Sequence, residues 1–249
     1  MTSKPLLLER VSCAFGPVEV IHDVSLEVEH SEFVALVGPS GCGKTTLLNL
    51  FSGFVQPTAG VVLRSGRMRM IFQEGGLFPW LTAAQNINLG LRHIADRRER
   101  ERQLRELLAL IRLENFAAHY PHQLSGGMRQ RVEIARALAG DSDVLLMDEP
   151  FSSLDYLTRL RMRQELVRLL AQRPRTVVFV THDIEEAAQL ADRVLVLSER
   201  PAQIRCELRL DVPRPRSLTH PAVVDAVHRI LSELGLEVEM EASNNKEIT

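Results

Sequence analysis

Apolar residues along this chain follow two kinds of pattern. Short, mostly apolar runs occupy residues 33–37, 68–72, 144–147, 177–180 and 194–197. Runs of this length suit strands buried on both faces, because successive side chains point to opposite sides of a sheet. Between several of them apolar residues recur three and four apart, as at Leu104, Leu107, Leu108 and Ile111, which predicts helices with one buried face. Buried strands separated by helices predict an α/β fold on a mainly parallel sheet. The first thirty residues differ: Val18, Val20, Val24, Leu26 and Val28 keep a two-residue spacing, so an antiparallel β-subdomain is expected there.

Residues 73–120 read as mostly helical and include DRRERERQLRELL at 96–108. Acids and bases are mixed on the polar face, which predicts a solvated, salt-bridged helix rather than a nucleic-acid patch. PRPRS at 213–217 reads as a turn or linker, 221–236 as one short amphipathic helix, and EASNNKEIT at 241–249 as a frayed tail.

Composition narrows the partners. A net charge of −2 gives no electrostatic reason for nucleic acid as a main partner, and none is expected. No apolar run approaches the roughly 18–20 residues that span a bilayer, and the opening MTSKPLLLER lacks the unbroken apolar stretch of a signal peptide. The chain is therefore expected to stay in the cytoplasm. Cys13, Cys42 and Cys206 are odd in number and widely spaced, which fits neither a disulfide framework nor a zinc pattern.

The strongest chemical signal is GPSGCGKTT at residues 38–46, between the apolar runs FVALV and LLNL. Gly38, Gly43, Lys44 and Thr45 fit G-x-x-x-x-G-K-[ST] in a strand–loop–helix setting. Such a loop wraps so that backbone N–H groups of Pro39's successors, Ser40, Gly41, Cys42, Gly43 and Thr46 among them, surround phosphate oxygens at a helix N-terminus. Lys44 supplies a point charge between the β- and γ-phosphates, and the Thr45 hydroxyl suits Mg²⁺. Cys42, beside that site, is expected to be sensitive to alkylation, without a catalytic role.

A second strand, VLLMDE at 144–149, emerges with two carboxylates in succession. Strand alternation sends neighbours to opposite sides, so the two are expected to take different tasks. Asp148 suits Mg²⁺ or its waters, and Glu149 suits polarising a water for in-line attack on the γ-phosphate. Alone, the pair also fits a helix cap ahead of Pro150. Ser125, Gly126 and Gly127 in LSGGMRQR make a second anion-binding helix start, which a dimer giving each nucleotide one such end from each chain would explain.

With these residues in order the chain closely resembles the ATP-binding cassette (ABC) ATPases, from residue 6 to about 205. GPSGCGKTT resembles their Walker A motif, LSGGM the signature motif and VLLMDEP the Walker B motif. SSLD at 152–155 is similar to the D-loop, His182 in VTHD to the switch histidine, Gln73 in IFQE to the Q-loop glutamine, and Phe15 to the aromatic that stacks on adenine. The resemblance implies a P-loop NTPase core with a mainly parallel sheet, an antiparallel β-subdomain and an α-helical signature subdomain. The cassette is expected over residues 1–212, its helical subdomain at about 75–140, and a short C-terminal helix and tail at 213–249.

It further implies that two cassettes, as a homodimer by expectation, sandwich two ATP molecules, each held by Walker A of one chain and Ser125, Gly126, Gly127 and Met128 of the other. Gln73 is implied to ligate Mg²⁺ and sense the γ-phosphate, His182 to hold that phosphate and the attacking water, and Asp155 to couple the two sites. Taken alone, Gln73 fits any strand-end amide, His182 a helix cap and Phe15 a core residue.

GGLFPWLTAAQNI at 75–87 carries Phe78 and Trp80 beside Pro79, in the region where ABC importers receive a coupling helix. The stretch resembles the nitrate, sulfonate and taurine importer group. The expected partners are therefore membrane permease subunits docking near residues 73–87 and a solute-binding protein, at the cytoplasmic face of the inner membrane. Twelve residues between Gly60 and Gln73 mark a trimmed β-subdomain. A cell-envelope complex moving lipids or transmitting force, and a regulatory ABC ATPase, stay open as alternatives.

Overall fold

A computed structural model describes residues 4–73 and 76–236 of the chain. The elements in order are β1 (Leu6–Phe15), β2 (Val18–Val28), β3 (Phe33–Val37), α1 (Lys44–Ser52), β4 (Ala59–Arg64), β5 (Met68–Ile71), α2 (Ala83–Gly90) and α3 (Arg97–Leu110). There follow α4 (Gly126–Ala139), β6 (Val144–Asp148), α5 (Tyr156–Gln172), β7 (Thr176–Val180), α6 (Ile184–Leu190), β8 (Arg193–Leu197), β9 (Ile204–Arg209) and α7 (Pro221–Glu233).

Two sheets form. The larger has the order β5-β6-β7-β3-β8-β9, parallel throughout except for the antiparallel edge strand β9. Its four inner strands, β6, β7, β3 and β8, are buried along their whole length because both faces are covered. Phe33, Ala35 and Val37 join a core with α2 through α7, whereas Val34 and Leu36 face Leu47, Leu48 and Phe51 of α1 and the second sheet. Alternate residues of β6, β7 and β8 divide between the same two cores.

The second sheet, β2-β1-β4, is antiparallel, with Leu6 opposite Val28 and Leu8 opposite Leu26. The expected alternation slips near Asp23, which adopts φ 47°, and at the hairpin end Val18 is exposed. The central-sheet strand read at 68–72 stops one residue early, since the Phe72 N–H leaves the ladder to bond Glu133 Oε1 at 3.0 Å.

The stretch read as helical from residue 73 becomes regular only at α2. Thr82 caps that helix, accepting from Gln85 N–H at 3.2 Å while Gln85 Oε1 accepts from Thr82 N–H at 2.9 Å. Helix α3 is salt-bridged as expected, with Arg97–Glu101 at 2.8 Å and Arg102 between Glu99 and Glu106, and it buries Leu107 and Leu108.

The segment at 213–217 is not a free linker. Arg216 is 5% exposed and donates to the carbonyls of Val212, Leu210, Ala188 and Ala191, so one guanidinium fastens the segment to α6 and β9. Beyond it α7 buries Val223, Ala226 and Ile230 in the same core as α6. The tail at 241–249 lies outside the described residues. Among those described, no helix is long and apolar enough to cross a membrane.

Candidate nucleotide-binding site

Strand β3 delivers the chain into the 38–46 loop, and α1 carries it away. Gly43 adopts φ 131°, and a Cβ there would stand 2.8 Å from Ile21 Cδ1 and 3.0 Å from Val20 Cγ1. Only glycine lets the loop turn this close to β2. Lys44 is 7% exposed, and its Nζ donates to the carbonyls of Gly38 at 2.8 Å and Pro39 at 2.9 Å. Carbonyls carry no net charge, so they position the ammonium without pairing it with a counter-ion and leave it open to an incoming anion.

A cavity of about 710 Å³ opens above this loop, lined by Ser40, Gly41, Gly43, Lys44, Thr45 and Thr46. Gln73, Glu149 and His182 close its far side, and Phe15 with Val18 forms an apolar flank. Phe15 is 51% exposed, so its ring is a free face at the cavity mouth rather than a core residue.

Asp148, 5% exposed at the end of β6, stands behind the cavity and is reached through the Thr45 hydroxyl, which donates to its carboxylate. Burial pushes the Asp148 carboxyl above its ordinary range. The Thr45 hydrogen bond opposes this, the Glu149 charge adds to it, and Lys44 opposes it again.

The two successive carboxylates do part company, but simple alternation is not the cause. Glu149 leaves the strand with φ 44°, a left-handed backbone that a glutamate rarely adopts. Its N–H donates to Val180 O at 2.9 Å, and its carbonyl accepts from Ser152 N–H at 3.1 Å and Ser152 Oγ at 2.9 Å. A strained residue so pinned costs about 1–3 kcal/mol and persists where its surroundings over-determine it. The result aims the side chain back across the sheet. Glu149 Oε2 accepts from His182 Nδ1 at 3.0 Å and from Gln73 Nε2 at 3.3 Å.

Other expected residues lie elsewhere in the chain. Ser125 caps α4, accepting from Met128 N–H at 3.2 Å, and Asp155 caps α5, accepting from Thr158 N–H at 3.0 Å. Gly126 lines a different cavity of about 590 Å³, with Ser152, Ser153 and Gln73. Among the described residues, Gln73 alone lines both cavities. A Cβ on Gly127 would meet Ser153 O at 3.1 Å, so the signature helix start packs against the turn ahead of Asp155. Cys42 is 2% exposed and its N–H donates to Pro39 O at 3.3 Å, so the thiol faces the core and the expected alkylation sensitivity is not supported.

Three residues were not foreseen. Arg200, after β8, lines the cavity and donates through Nη2 to Gly41 O at 2.6 Å. Its sequence setting, LSERPAQI, carries no pattern that marks it. Glu133 and Arg136 on α4 grip the segment that follows Gln73. Glu133 accepts from the Phe72 and Gly76 N–H groups, and Arg136 Nη2 donates to Gly76 O at 2.5 Å. Arg136 also sits 5.6 Å from the Phe78 ring centroid, and Phe78 packs on Trp80 at 5.5 Å. Phe78 and Trp80 are 41% and 69% exposed. Gly75, which opens the expected docking segment, lies outside the described residues.

Comparison with known proteins shows the family. Residues 21–152 match the sequence profile described as ABC transporter. An aliphatic sulfonates import ATP-binding protein of Rhodococcus jostii is 50% identical over 203 residues, covering 79% of this chain and 80% of the relative. A nitrate import ATP-binding protein of Synechococcus elongatus is 44% identical over 213 residues, covering 81% of this chain and 32% of that longer protein. Among solved structures, a dimeric ATP-binding cassette in a post-hydrolysis state with ADP and phosphate superposes with a TM-score of 0.74 at 33% identity, over 84% of this chain and all of the other. With the profile spanning more than half of its length, the chain belongs to the ABC transporter family.

Proposed function

We propose that this chain is the ATP-hydrolysing subunit of an importer, and that it works as a head-to-tail pair. One observation carries the pairing. The phosphate loop, Gln73, Glu149 and His182 line one cavity, while Ser125, Gly126 and Asp155 lie off it, so a single chain holds two half-sites rather than one whole site. Rotating a second copy head to tail brings its signature helix start over the first copy's phosphate loop.

In that setting each residue has a separate task. Backbone N–H groups of the 38–46 loop and the α1 N-terminus cradle the phosphates, and Lys44 neutralises the β- and γ-oxygens. Phe15 offers its exposed ring to the base. Glu149 takes a proton from the attacking water, and His182 holds the γ-phosphate and that water in line. Met128 and the neighbouring Ser125, Gly126 and Gly127 contact the γ-phosphate of the partner copy's ATP.

The Thr45 hydroxyl, the Asp148 carboxylate and the Gln73 amide oxygen are all hard oxygen donors, which fits Mg²⁺. When bound, such an ion neutralises charge between the β- and γ-phosphates.

By this reading Phe78 and Trp80 form the docking surface for a membrane permease, and the subunit sits peripherally on the cytoplasmic face of the membrane. Relatives named for sulfonate, nitrate and taurine import support a small solute of that kind. A solute-binding protein that delivers it is part of this reading.

Size-exclusion chromatography of Glu149→Gln with and without ATP and Mg²⁺ tests the pairing. A monomer that becomes a dimer only with ATP is expected. A monomer under both conditions contradicts the composite site.

A further inference from the structure

Helix α5 begins at the turn that ends in Asp155 and runs beside the loop carrying His182. Its first turn presents Arg159, whose side chain is 24% exposed and reaches both. Nη2 donates to Leu154 O at 3.2 Å, and Nη1 donates to Asp183 Oδ2 at 3.3 Å. The remaining nitrogen, Nε, is buried without a hydrogen-bond partner among the described residues. Nε lies 3.9 Å from Glu186 Oε1, beyond hydrogen-bond distance, so both hydrogen bonds of this guanidinium go to the two loops.

One turn further on, Arg163 makes the second loop rigid. It is 3% exposed, and its Nη2 donates to Asp183 Oδ2 and to Glu186 Oε1, both at 2.7 Å. Thr181 Oγ1 donates to Glu186 Oε2 at 2.7 Å and accepts from Asp183 N–H at 2.9 Å. Both chain neighbours of His182 thus belong to one network with two arginines and two carboxylates, balanced in charge. His182 projects from it to Glu149 Oε2 at 3.0 Å.

We propose that Arg159 is a positioning residue that links the Leu154–Asp155 turn to the His182 loop within one chain, so that a partner copy pressing on the turn sets the placement of His182 against Glu149. A guanidinium suits the task because its planar fork fixes two acceptors in one geometry. A shift of Leu154 O moves the fork, and the fork moves Asp183, the immediate neighbour of His182. The link rests on the proposed tasks of Glu149, His182 and Asp155.

Steady-state ATP turnover of the full chain tests it through Arg159→Met, Asp155→Ala and the double variant. Arg159→Met is expected to lower kcat about tenfold while KM changes less than about twofold, because Arg159 does not line the ATP cavity. The double variant is expected to lose no more than Arg159→Met alone, since both break one link. Losses that multiply, a wild-type kcat for Arg159→Met, or a wild-type kcat for Asp155→Ala overturns the proposal. Should Arg159→Met fail to fold, Asp183→Asn, which keeps an oxygen for the Glu186 N–H, enters the same cycle with the same expectations. Glu149→Gln and His182→Ala are assayed alongside. If those two retain turnover, the proposed catalytic tasks fail; if they lose it while the cycle multiplies, only the Arg159 link fails.

Discussion

His182 Nδ1 donates to Glu149 Oε2 at 3.0 Å, although 33 positions separate the two residues in the chain. The bond joins the end of β7 to the end of β6, adjacent parallel strands whose Asp148 and Val180 stand in register. Parallel register brings the strand ends, and the side chains just past them, to the same edge of the sheet, where the crevice of an open α/β fold lies. The left-handed backbone at Glu149 then turns its carboxylate toward His182.

Lys44 carries the one cation buried within the loop itself. Lys44→Ala should weaken ATP binding about 10- to 100-fold, the scale of a lost charge-assisted hydrogen bond to phosphate. Isothermal titration with ATP checks this, and unchanged affinity would remove the loop from the site.

Arg200 acts on the same loop from outside. Its hydrogen bonds to Gly41 O hold the turn open toward the cavity, and one exposed interaction of this kind contributes about 1 kcal/mol. Arg200→Ala should therefore weaken ATP about three- to tenfold with little change in Tm, read by titration and thermal melting together.

Gly76 leaves room for a carboxylate. A Cβ there would stand 1.9 Å from Glu133 Oε1, so Gly76→Ala must displace Glu133 from the Phe72 N–H. Loss of that buried contact should cost about 2 kcal/mol, or about 4–8 °C in Tm. In a Glu133→Ala background the same substitution should cost much less, and thermal melting of the four proteins checks the difference.

Much of this was legible in the sequence, for reasons that particular residues show. Strand β3 is apolar without interruption because Val34 and Ala35 face different cores, both dry. The 38–46 loop was readable because close packing on Val20 and Ile21 leaves a glycine no substitute at position 43. What escaped were contacts between segments far apart in sequence. Arg200 meets Gly41 across 159 positions, and Arg216 fastens an apparent linker by carbonyls that any residue supplies. Backbone acceptors leave no trace in residue identity. The left-handed turn at Glu149 was equally hidden, since glutamate gives no local sign of it.

Trp80 is the most exposed large apolar residue of the described chain and packs only on its neighbour Phe78 among aromatic rings. Trp80→Ala should leave ATP turnover of the isolated subunit within about twofold and lower co-purification with the permease at least about tenfold, as loss of an aromatic anchor does. Unchanged assembly would contradict the docking surface.

The central claim is that Glu149 activates the attacking water. Glu149→Gln keeps the size of the side chain and an oxygen for His182 but removes the base. Steady-state turnover and ATP binding measured on one preparation test this most directly. Binding within about threefold of wild type, with turnover lowered at least about 100-fold, is the predicted result. Wild-type turnover in Glu149→Gln would contradict it.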